Sequence, residues 1–277
     1  MKVRYSYLSQ QFSNCNDLWR NLKSFVKTGD FTLGKELLKF EKKFAKLIGT
    51  KYAVGVNSGT DAIKLSLKTL GVQPGDEVIT AANTFVATVG AICELGAKPV
   101  FVDCDDSFCL NVDLVEEKIT KKTKAIVPVH FTGYMTNMVK LNKIAKKYKI
   151  PIIEDACQSI LASINNKKSG TWSEFGAFSL HPLKNINVWS DGGIIVTSNK
   201  KHFKQLKLLR NHGLADRNNV KIVGYNSRLD TLQAVVGNWL IPSARKIANQ
   251  RIKNAKYFDY NLKKIKEITI PPRLKNY

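Results

Sequence analysis

The sequence predicts an α/β domain built on a parallel sheet. Helix-like and strand-like segments alternate from about residue 34 onward. The strand-like segments are apolar at nearly every position, which indicates strands buried on both faces, as in a parallel sheet covered by helices. Strands that alternate with helices are in turn typical of right-handed crossover connections.

The predicted elements follow from these two patterns. Short apolar runs predict strands at 52–57, 77–82, 98–104, 124–130, 151–156 and 177–180. Apolar residues at helical spacing predict helices at 34–49, 59–71, 140–149 and 200–210. From Ser227 to about Lys266 the pattern predicts long helical segments, interrupted at Pro242.

The last ten residues, ITIPPRLKNY, open like a further strand. A lone strand that follows a long helix has nothing to pair with. Either this strand joins the main sheet or the sequence is the first part of a longer protein, and we expect the second.

Composition narrows the class of protein. The 277 residues are 44% hydrophobic, enough to bury a core, and they contain no run of about 18 apolar residues that would span a bilayer. The opening MKVRYSYLSQQF lacks the apolar core of a signal peptide. The five cysteines form no CxxC pair and the four histidines show no ligand spacing, so we expect a cytoplasmic protein with no metal and no membrane partner.

The net charge of +22 raises the question of nucleic-acid binding, but only eight of the 44 basic residues are Arg. Arg is the residue favoured for bidentate contacts to phosphates and bases. The lysines fall among aliphatic residues at helical spacing, as in 140–149 and 200–210, which is typical of a solvated helix face. We therefore expect no nucleic-acid partner; a basic cleft for an anionic substrate is the main alternative to a merely lysine-rich surface.

Two predicted strand ends carry side chains that suit ligand binding. The segment NSGTD at 57–61 opens a helix, and its free N–H groups suit an anion, although a Ser N-cap with a glycine turn also explains it. Asp155 ends the strand 151–156, where ligands gather in open α/β sheets, although a turn residue is the simpler interpretation. Its neighbour Glu154 should point the opposite way.

A third strand end carries Lys184, in the run AFSLHPLKNINVWSDGG at 177–193. A lysine between apolar residues at a strand exit is costly unless it forms an ion pair or serves as a nucleophilic amine. An ion pair is the simpler explanation for Lys184 taken alone. The SDGG turn is expected only to provide tight backbone and to begin the next strand.

Taken together, the three strand ends predict a site for pyridoxal 5′-phosphate (PLP). This cofactor needs a helix N-terminus for its phosphate, a carboxylate for its pyridine nitrogen and an amine for its aldehyde. Phe85, which follows the strand 77–82, would cover the ring, or would simply pack in the core.

The sequence resembles the DegT-type sugar aminotransferases, PLP enzymes of the aspartate-aminotransferase fold (fold type I) that aminate nucleotide-linked keto-sugars. The resemblance covers most of the chain and rests on motifs in the right order: NSGTDAIKLSL, GDEVITAANTFVAT, AKPVFVD, PVHFTG, IIEDACQS, FSLHPLKN, SDGG, LRNHG and GYNSRLDTLQA. It implies a three-layer α/β/α large domain with a mostly parallel sheet over residues 1–240. Residues 241–277 would begin a smaller α+β domain.

The resemblance also implies a role for each matched residue. Lys184 would bind the PLP aldehyde as a Schiff base and then move the substrate proton, and Asp155 would pair with the pyridinium nitrogen. Phe85 would stack on the ring, and Gln158 would lie near the ring hydroxyl. The phosphate would be bound by Ser58, Gly59, Thr60 and Ser179.

A homodimer with shared active sites is implied as well. Asn226 in the GYNSR motif would reach the phosphate of the neighbouring subunit's cofactor, in keeping with the prevalence of two-fold oligomers. Arg228 would bind the carboxylate of the amino donor. His181 and Asn185 would support Lys184 or contact the substrate.

The implied reaction is ping-pong transamination from an amino-acid donor, L-glutamate, to a nucleotide-linked keto-sugar. The SYLSQQF and HPLKNINVWSDGG segments resemble members that act at C3 of dTDP-3-keto-6-deoxyhexoses. Relatives with His in place of the Schiff-base lysine perform a dehydration, so Lys184 favours transamination. Because the family usually runs well beyond the length of this sequence, a truncated or non-catalytic PLP-binding homologue with a regulatory role is the alternative.

Overall fold

The structure is a computed structural model that describes residues 5–277; the first four residues of the N-terminal segment lie outside it. The described chain forms the helices α1 Leu8–Gln11, α2 Asn16–Val26, α3 Lys35–Ile48, α4 Gly59–Thr69, α5 Val86–Cys93, α6 Met138–Tyr148, α7 Lys200–Leu209, α8 Thr231–Leu240 and α9 Ala244–Leu262. Short 3₁₀ segments lie at Val112–Leu114, Glu116–Lys118, Phe131–Gly133 and Ile241–Ser243. The last of these contains Pro242, where the interruption was predicted.

Six of the described strands fall where the apolar runs predict them, and the four strands of two short hairpins have no predicted counterpart. The strands are β1 Tyr52–Val56, β2 Glu77–Ala81, β3 Lys98–Val102, β4 Thr123–Val127, β5 Ile153–Asp155, β6 Ser163–Ile164, β7 Lys167–Lys168, β8 Phe175–Ser179, β9 Gly193–Thr197, β10 Leu214–Asp216 and β11 Asn219–Val220. Strands β6 and β7, and β10 and β11, form two small antiparallel hairpins. Strand β9 begins directly after the SDGG turn, as predicted.

Seven strands make one mixed sheet in the order β1-β9-β8-β5-β4-β2-β3. Hydrogen-bonded ladders form its two parts, and isolated bridges between β4 and β5 join them. Only β9 runs antiparallel to its neighbours; the pairs β8–β5, β2–β4 and β2–β3 are parallel. The mostly parallel sheet is therefore confirmed, and the carboxyl ends of β1, β2, β4, β5 and β8 meet at one edge.

Helices cover both faces of the sheet. On β9, Ile195 packs with residues of α4 and α7, whereas Ile194 and Val196 pack with α3 and α8 on the opposite face. Helix α6 lies over β2 and β4 on that second face. The three-layer α/β/α architecture is therefore confirmed, with apolar cores on both sides of the sheet.

The outer edge of β1 is covered by a buried ion pair. Glu41 on α3 and Arg210 after α7 contact each other and are almost fully buried. Glu41 Oε1 accepts the Gly55 N–H (2.8 Å), and Arg210 Nη1 donates to the Gly55 carbonyl (2.8 Å). These side chains take the place of a neighbouring strand and hold β1 where it leads into the segment 57–61.

The strand predicted for the last ten residues is wrong. Residues 268–277 have no strand pairing, since Pro271 and Pro272 have no N–H to donate to a ladder. The segment instead packs beside the 3₁₀ turn Phe131–Gly133, where Tyr277 stacks on Tyr134 with ring centroids 4.8 Å apart. The domain boundary at residue 240 stays a prediction.

The lysine-rich helices have the solvated faces that their patterns predict. The lysines of α6 and α7 are exposed, while Leu141 and Leu206 are buried beneath them. Among residues 5–277, no helix is long and apolar enough to cross a membrane. The same residues contain no group of three or more His, Cys, Asp or Glu side chains placed to hold a metal ion.

Two helical glycines test the packing of this fold. A Cβ at Gly237 in α8 would lie 2.6 Å from the buried Phe40 ring. Overpacking costs about 1–3 kcal/mol and outweighs the gain in helix propensity of about 1 kcal/mol. We expect Gly237→Ala to lower the free energy of unfolding, measured by urea denaturation.

At Gly90 in α5 a Cβ would meet nothing within 4 Å, so Gly90→Ala should raise the free energy of unfolding by about 0.5–1 kcal/mol. A stabilised Gly237→Ala would contradict the packing.

Candidate active site

A cavity of about 360 Å³ lies at the edge of the sheet where the parallel strands end. Ser179 at the end of β8, Gln158 after β5 and Thr132 after β4 line it. Lys184 and Asn185, in the turn that follows β8, complete this wall. The sheet topology thus brings residues from distant parts of the chain to one opening, as expected for an open α/β sheet.

The turn that carries Lys184 is firmly anchored. The Lys184 N–H donates to the His181 carbonyl (2.8 Å), and Nδ2 of the fully buried Asn187 donates to the Lys184 carbonyl (3.1 Å). Ile186 and Val188 are buried on either side of Asn187. Within residues 5–277, Lys184 takes part in no ion pair. The simpler explanation of this lysine, a structural ion pair, therefore has no support.

Asp155 is 5% exposed and holds two hydrogen bonds. Its Oδ2 accepts from Thr88 Oγ1 (2.8 Å), and its Oδ1 accepts from the Cys157 N–H (3.2 Å). An ionised carboxylate has about four acceptor positions, so this carboxylate keeps capacity for a further donor. Thr88 lies in the first turn of α5, one turn after Phe85, and the Phe85 side chain is 67% exposed. Core packing of Phe85 is thereby excluded.

Glu154 points to the other side of β5, as predicted. Its carboxylate is fully buried. Oε2 accepts from the Gly170 N–H (2.7 Å) and lies 3.0 Å from His130 Nε2, while Oε1 accepts from the Trp172 N–H (2.8 Å) and from Ser173 Oγ (2.9 Å). His130 Nδ1 accepts the Thr136 N–H (3.3 Å), which leaves Nε2 as the donor to Glu154. Four donors thus hold one carboxylate directly behind Asp155.

The start of α4 presents free backbone N–H groups. Ser58 is the N-cap, and its Oγ accepts the Asp61 N–H (3.1 Å). The N–H groups of Gly59 and Thr60 have no acceptor in the part of the chain that the structure describes. A Cβ at Gly59 would lie 2.8 Å from Ser179 Cβ and 3.1 Å from Cys157 Sγ, so only glycine lets the helix start approach these strand ends so closely.

Cys157 lies among all three predicted parts of the site. Burial raises the pKa of the Cys157 thiol, the negative charge of Asp155 raises it further, and the positive charge of Lys184 opposes this. The same sulfur lies close to Gly59. Cys157 lines the same cavity as Lys184, and its N–H donates to Asp155 Oδ1. The carboxylate, the amine and the helix N-terminus are therefore neighbours in space, although 126 residues separate Ser58 from Lys184 in the sequence.

These residues fit PLP. The site offers an amine without an ionic partner, a carboxylate with acceptor capacity to spare and two backbone N–H groups without acceptors at a helix N-terminus. Each matches one group of the cofactor: the aldehyde, the pyridine nitrogen and the phosphate.

The other predicted residues divide between two places. Asn185 and Gln158 line the Lys184 cavity, and Gln158 Oε1 accepts the Thr132 N–H (3.0 Å). His181 does not line it: its Nδ1 accepts the Leu183 N–H (3.3 Å), so His181 supports the turn, one of the two roles predicted for it.

Asn226 and Arg228 line a second, smaller cavity of about 210 Å³, together with Asn57. Arg228 Nη1 donates to Asn211 Oδ1 (3.0 Å). One chain therefore does not bring Arg228 to the Lys184 cavity. Their predicted roles in a shared site stay predictions.

Sequence reasoning missed two residues of the site. Thr88 holds Asp155, and its position one helical turn after Phe85 was an available signal. Arg251 on α9 lines the Lys184 cavity. No local pattern marks it, because the helix α9 reaches the cavity only through the tertiary fold.

The comparison with protein families decides the class of this chain. Residues 15–276 match the DegT/DnrJ/EryC1/StrS aminotransferase family. The chain belongs to this family. PLP is the family's cofactor, in agreement with the residues that fit it.

Two relatives of this chain carry different names: one is named as a sugar aminotransferase and the other as a regulatory protein. The chain is 40% identical over 222 residues to a UDP-N-acetyl-3-dehydro-alpha-D-glucosamine 3-aminotransferase of Acidithiobacillus ferrooxidans, covering 80% of this chain and 60% of that protein. It is 38% identical over 257 residues to a "Pleiotropic regulatory protein" of Geobacillus stearothermophilus, covering 92% and 69%. The chain thus spans about two thirds of the length of these relatives.

The fold agrees with a solved structure of the same kind. The crystal structure of S. venezuelae DesV in complex with a ketimine intermediate superposes with a TM-score of 0.95 at 34% identity. The match covers 97% of this chain and 73% of that chain. The fold type I architecture is therefore confirmed.

The Glu154 carboxylate gives a test of the site's support. In Glu154→Gln one oxygen becomes an NH₂ group that faces two donors, and each buried polar group left unpaired costs about 1–3 kcal/mol. We expect the free energy of unfolding to fall by about 2–4 kcal/mol, measured by urea denaturation.

The matched control is Glu117→Gln, because the Glu117 side chain is 59% exposed. That change should stay within about 0.5 kcal/mol of the parent chain. Equal stability of the two variants would show that the Glu154 hydrogen bonds do not support the site.

Proposed function

We propose that this chain is a PLP-dependent aminotransferase that moves an amino group from L-glutamate to a nucleotide-linked keto-sugar. The observation that carries the proposal is the meeting of Lys184, Asp155 and the start of α4 around Cys157 in a member of this family. The 3-aminotransferase name of one relative supports C3 of the sugar as the position. For the substrate itself we propose a dTDP-3-keto-6-deoxyhexose.

Each residue has a task in this reaction. PLP, when bound, supplies an electron sink for the bonding electrons of the substrate carbon. Asp155 holds the proton on the pyridine nitrogen, and its bonds to Thr88 and to Cys157 N–H keep its carboxylate in place. Lys184 Nζ, on its anchored turn, would take the proton from the donor carbon that bears nitrogen and deliver it to the carbon that was the cofactor aldehyde, so that the amino group stays with the cofactor.

Further residues bind and orient. The N–H groups of Gly59 and Thr60, with the hydroxyls of Ser58 and Ser179, bind the cofactor phosphate. Phe85, exposed at the start of α5, covers the ring. Gln158 lies on the cavity wall, beside the ring hydroxyl.

We further propose a homodimer in which two chains share each active site. The second cavity, with Asn226 and Arg228, lies outside the Lys184 cavity of the same chain. In this arrangement Asn226 contacts the cofactor phosphate of the partner, and Arg228 binds the carboxylate of L-glutamate.

A regulatory, non-catalytic role is the second candidate. The relative named as a pleiotropic regulatory protein covers 92% of this chain and favours it. The two candidates differ in one property: a catalyst exchanges nitrogen with its donor, whereas a protein that only binds PLP does not.

The experiment is a visible absorbance spectrum of the purified chain with PLP, before and after L-glutamate. We expect a Schiff-base band that decays to the amine form of the cofactor when glutamate is added. In Lys184→Ala the band should be absent, because Lys184 is the only lysine that lines the cavity among residues 5–277, and its amine is the nucleophile that would form the covalent bond.

The control is Lys201→Ala, which removes an exposed lysine of α7 and should leave the band and its decay unchanged. A band that persists with glutamate would contradict transamination from this donor and favour the regulatory candidate. A band that survives in Lys184→Ala would contradict the assignment of the site.

A further inference from the structure

Arg251 brings a second positive charge to the Lys184 cavity. The residue lies on α9, 67 positions after Lys184 in the sequence, and its side chain lines the same cavity. Among residues 5–277 it is the only arginine that lines this opening, since Arg228 lies on the second cavity.

The cavity has an excess of positive charge. Among residues 5–277, the side chains that line it are apolar or neutral and polar besides Lys184 and Arg251, and none is Asp or Glu. Within residues 5–277, Arg251 forms no ion pair with a carboxylate. Two cations on one concave surface repel each other and attract an anion.

The N-terminal segment holds Arg251 in position. The guanidinium lies over the Tyr7 ring, 5.6 Å from its centroid, and Nη2 is 3.5 Å from the Tyr7 hydroxyl. Four residues on, Gln11 Oε1 accepts from Asn187 Nδ2 (3.1 Å), the side chain that also holds the Lys184 carbonyl. The same short segment therefore contacts both Arg251 and the turn of Lys184.

We propose that Arg251 binds an anionic oxygen group of the substrate that reacts at Lys184, a carboxylate or a phosphate. The inference rests on the proposed function, because it takes the Lys184 cavity as the place where substrate binds. A planar guanidinium without a carboxylate partner matches both kinds of group in a bidentate manner. The amino donor carries the carboxylate, and the nucleotide-linked sugar carries the phosphates.

The test measures equilibrium binding to the PLP-loaded chain, so that the cofactor already fills its own phosphate site. Glutarate serves as the probe for the donor carboxylates. Uridine diphosphate serves as the probe for the phosphates, because it carries the same diphosphate group as the proposed dTDP-linked sugar and the nucleotide of the UDP-sugar relative. Both are measured by isothermal titration calorimetry. The variant is Arg251→Gln, and Arg251→Lys retains the charge without the planar fork.

The matched control is Arg245→Gln, which removes the same charge from an exposed position on the same helix, away from the cavity lining. We expect Arg251→Gln to raise the dissociation constant of a probe about tenfold or more, Arg251→Lys to raise it less, and Arg245→Gln to leave it within about twofold.

The two probes distinguish the source of the anion. A loss confined to uridine diphosphate assigns Arg251 to the sugar nucleotide, a loss confined to glutarate assigns it to the donor, and a loss of both means that the two substrates use Arg251 in turn. Equal affinities of Arg251→Gln and Arg245→Gln for both probes, or no binding of either probe to the unsubstituted chain, would overturn the proposal. Failure of the chain to take up PLP counts instead against the proposed function.

Discussion

Glu154 and Asp155 are consecutive residues on β5 and therefore point to opposite faces of the sheet. Behind the sheet, Glu154 accepts hydrogen bonds from four donors, two of them backbone N–H groups of the loop after β7. In front of it, Asp155 is held by Thr88 and by the Cys157 N–H. Because β5 has only three residues, its ladder alone would orient these carboxylates weakly. The fixed Glu154 sets the direction of Asp155, and the cofactor site that we propose depends on that direction.

The remaining parts of the site are placed by close backbone packing and by the buried side chain of Asn187. The first turn of α4 lies so close to the ends of β8 and β9 that a Cβ at Gly193 would come within 2.0 Å of the Ser58 carbonyl oxygen. Lys184 follows β8 on a turn whose carbonyl is held by the buried Asn187. An anchored lysine turn and a closely packed helix N-terminus keep a fixed separation, which suits a ligand with a reactive group at one end and a phosphate at the other. Flexible loops would not hold that separation.

The features that the sequence predicts are those with local causes. Apolar runs placed six of the seven sheet strands, helical spacing placed α3, α4, α6, α7 and the helical region of α8 and α9, and Pro242 marked the break before α9. The antiparallel direction of β9 has no local signal, because it depends on which strands become neighbours. The terminal ITIPPRLKNY opens with residues that are typical of a strand, but its two prolines have no N–H to donate to a ladder. Arg251 has no local signal either, because only the tertiary fold brings α9 to the cavity.

We propose that Lys184, among the many lysines of this chain, carries the cofactor, and chemical labelling tests this assignment directly. Reduction of the PLP-loaded chain with sodium borohydride makes a Schiff base permanent, and peptide mass spectrometry then locates the labelled lysine. We expect a stoichiometric label on the peptide that contains Lys184 and only a background level of label on the other peptides. A label spread over exposed lysines of α6 and α7, or concentrated on a lysine outside the cavity, would contradict it.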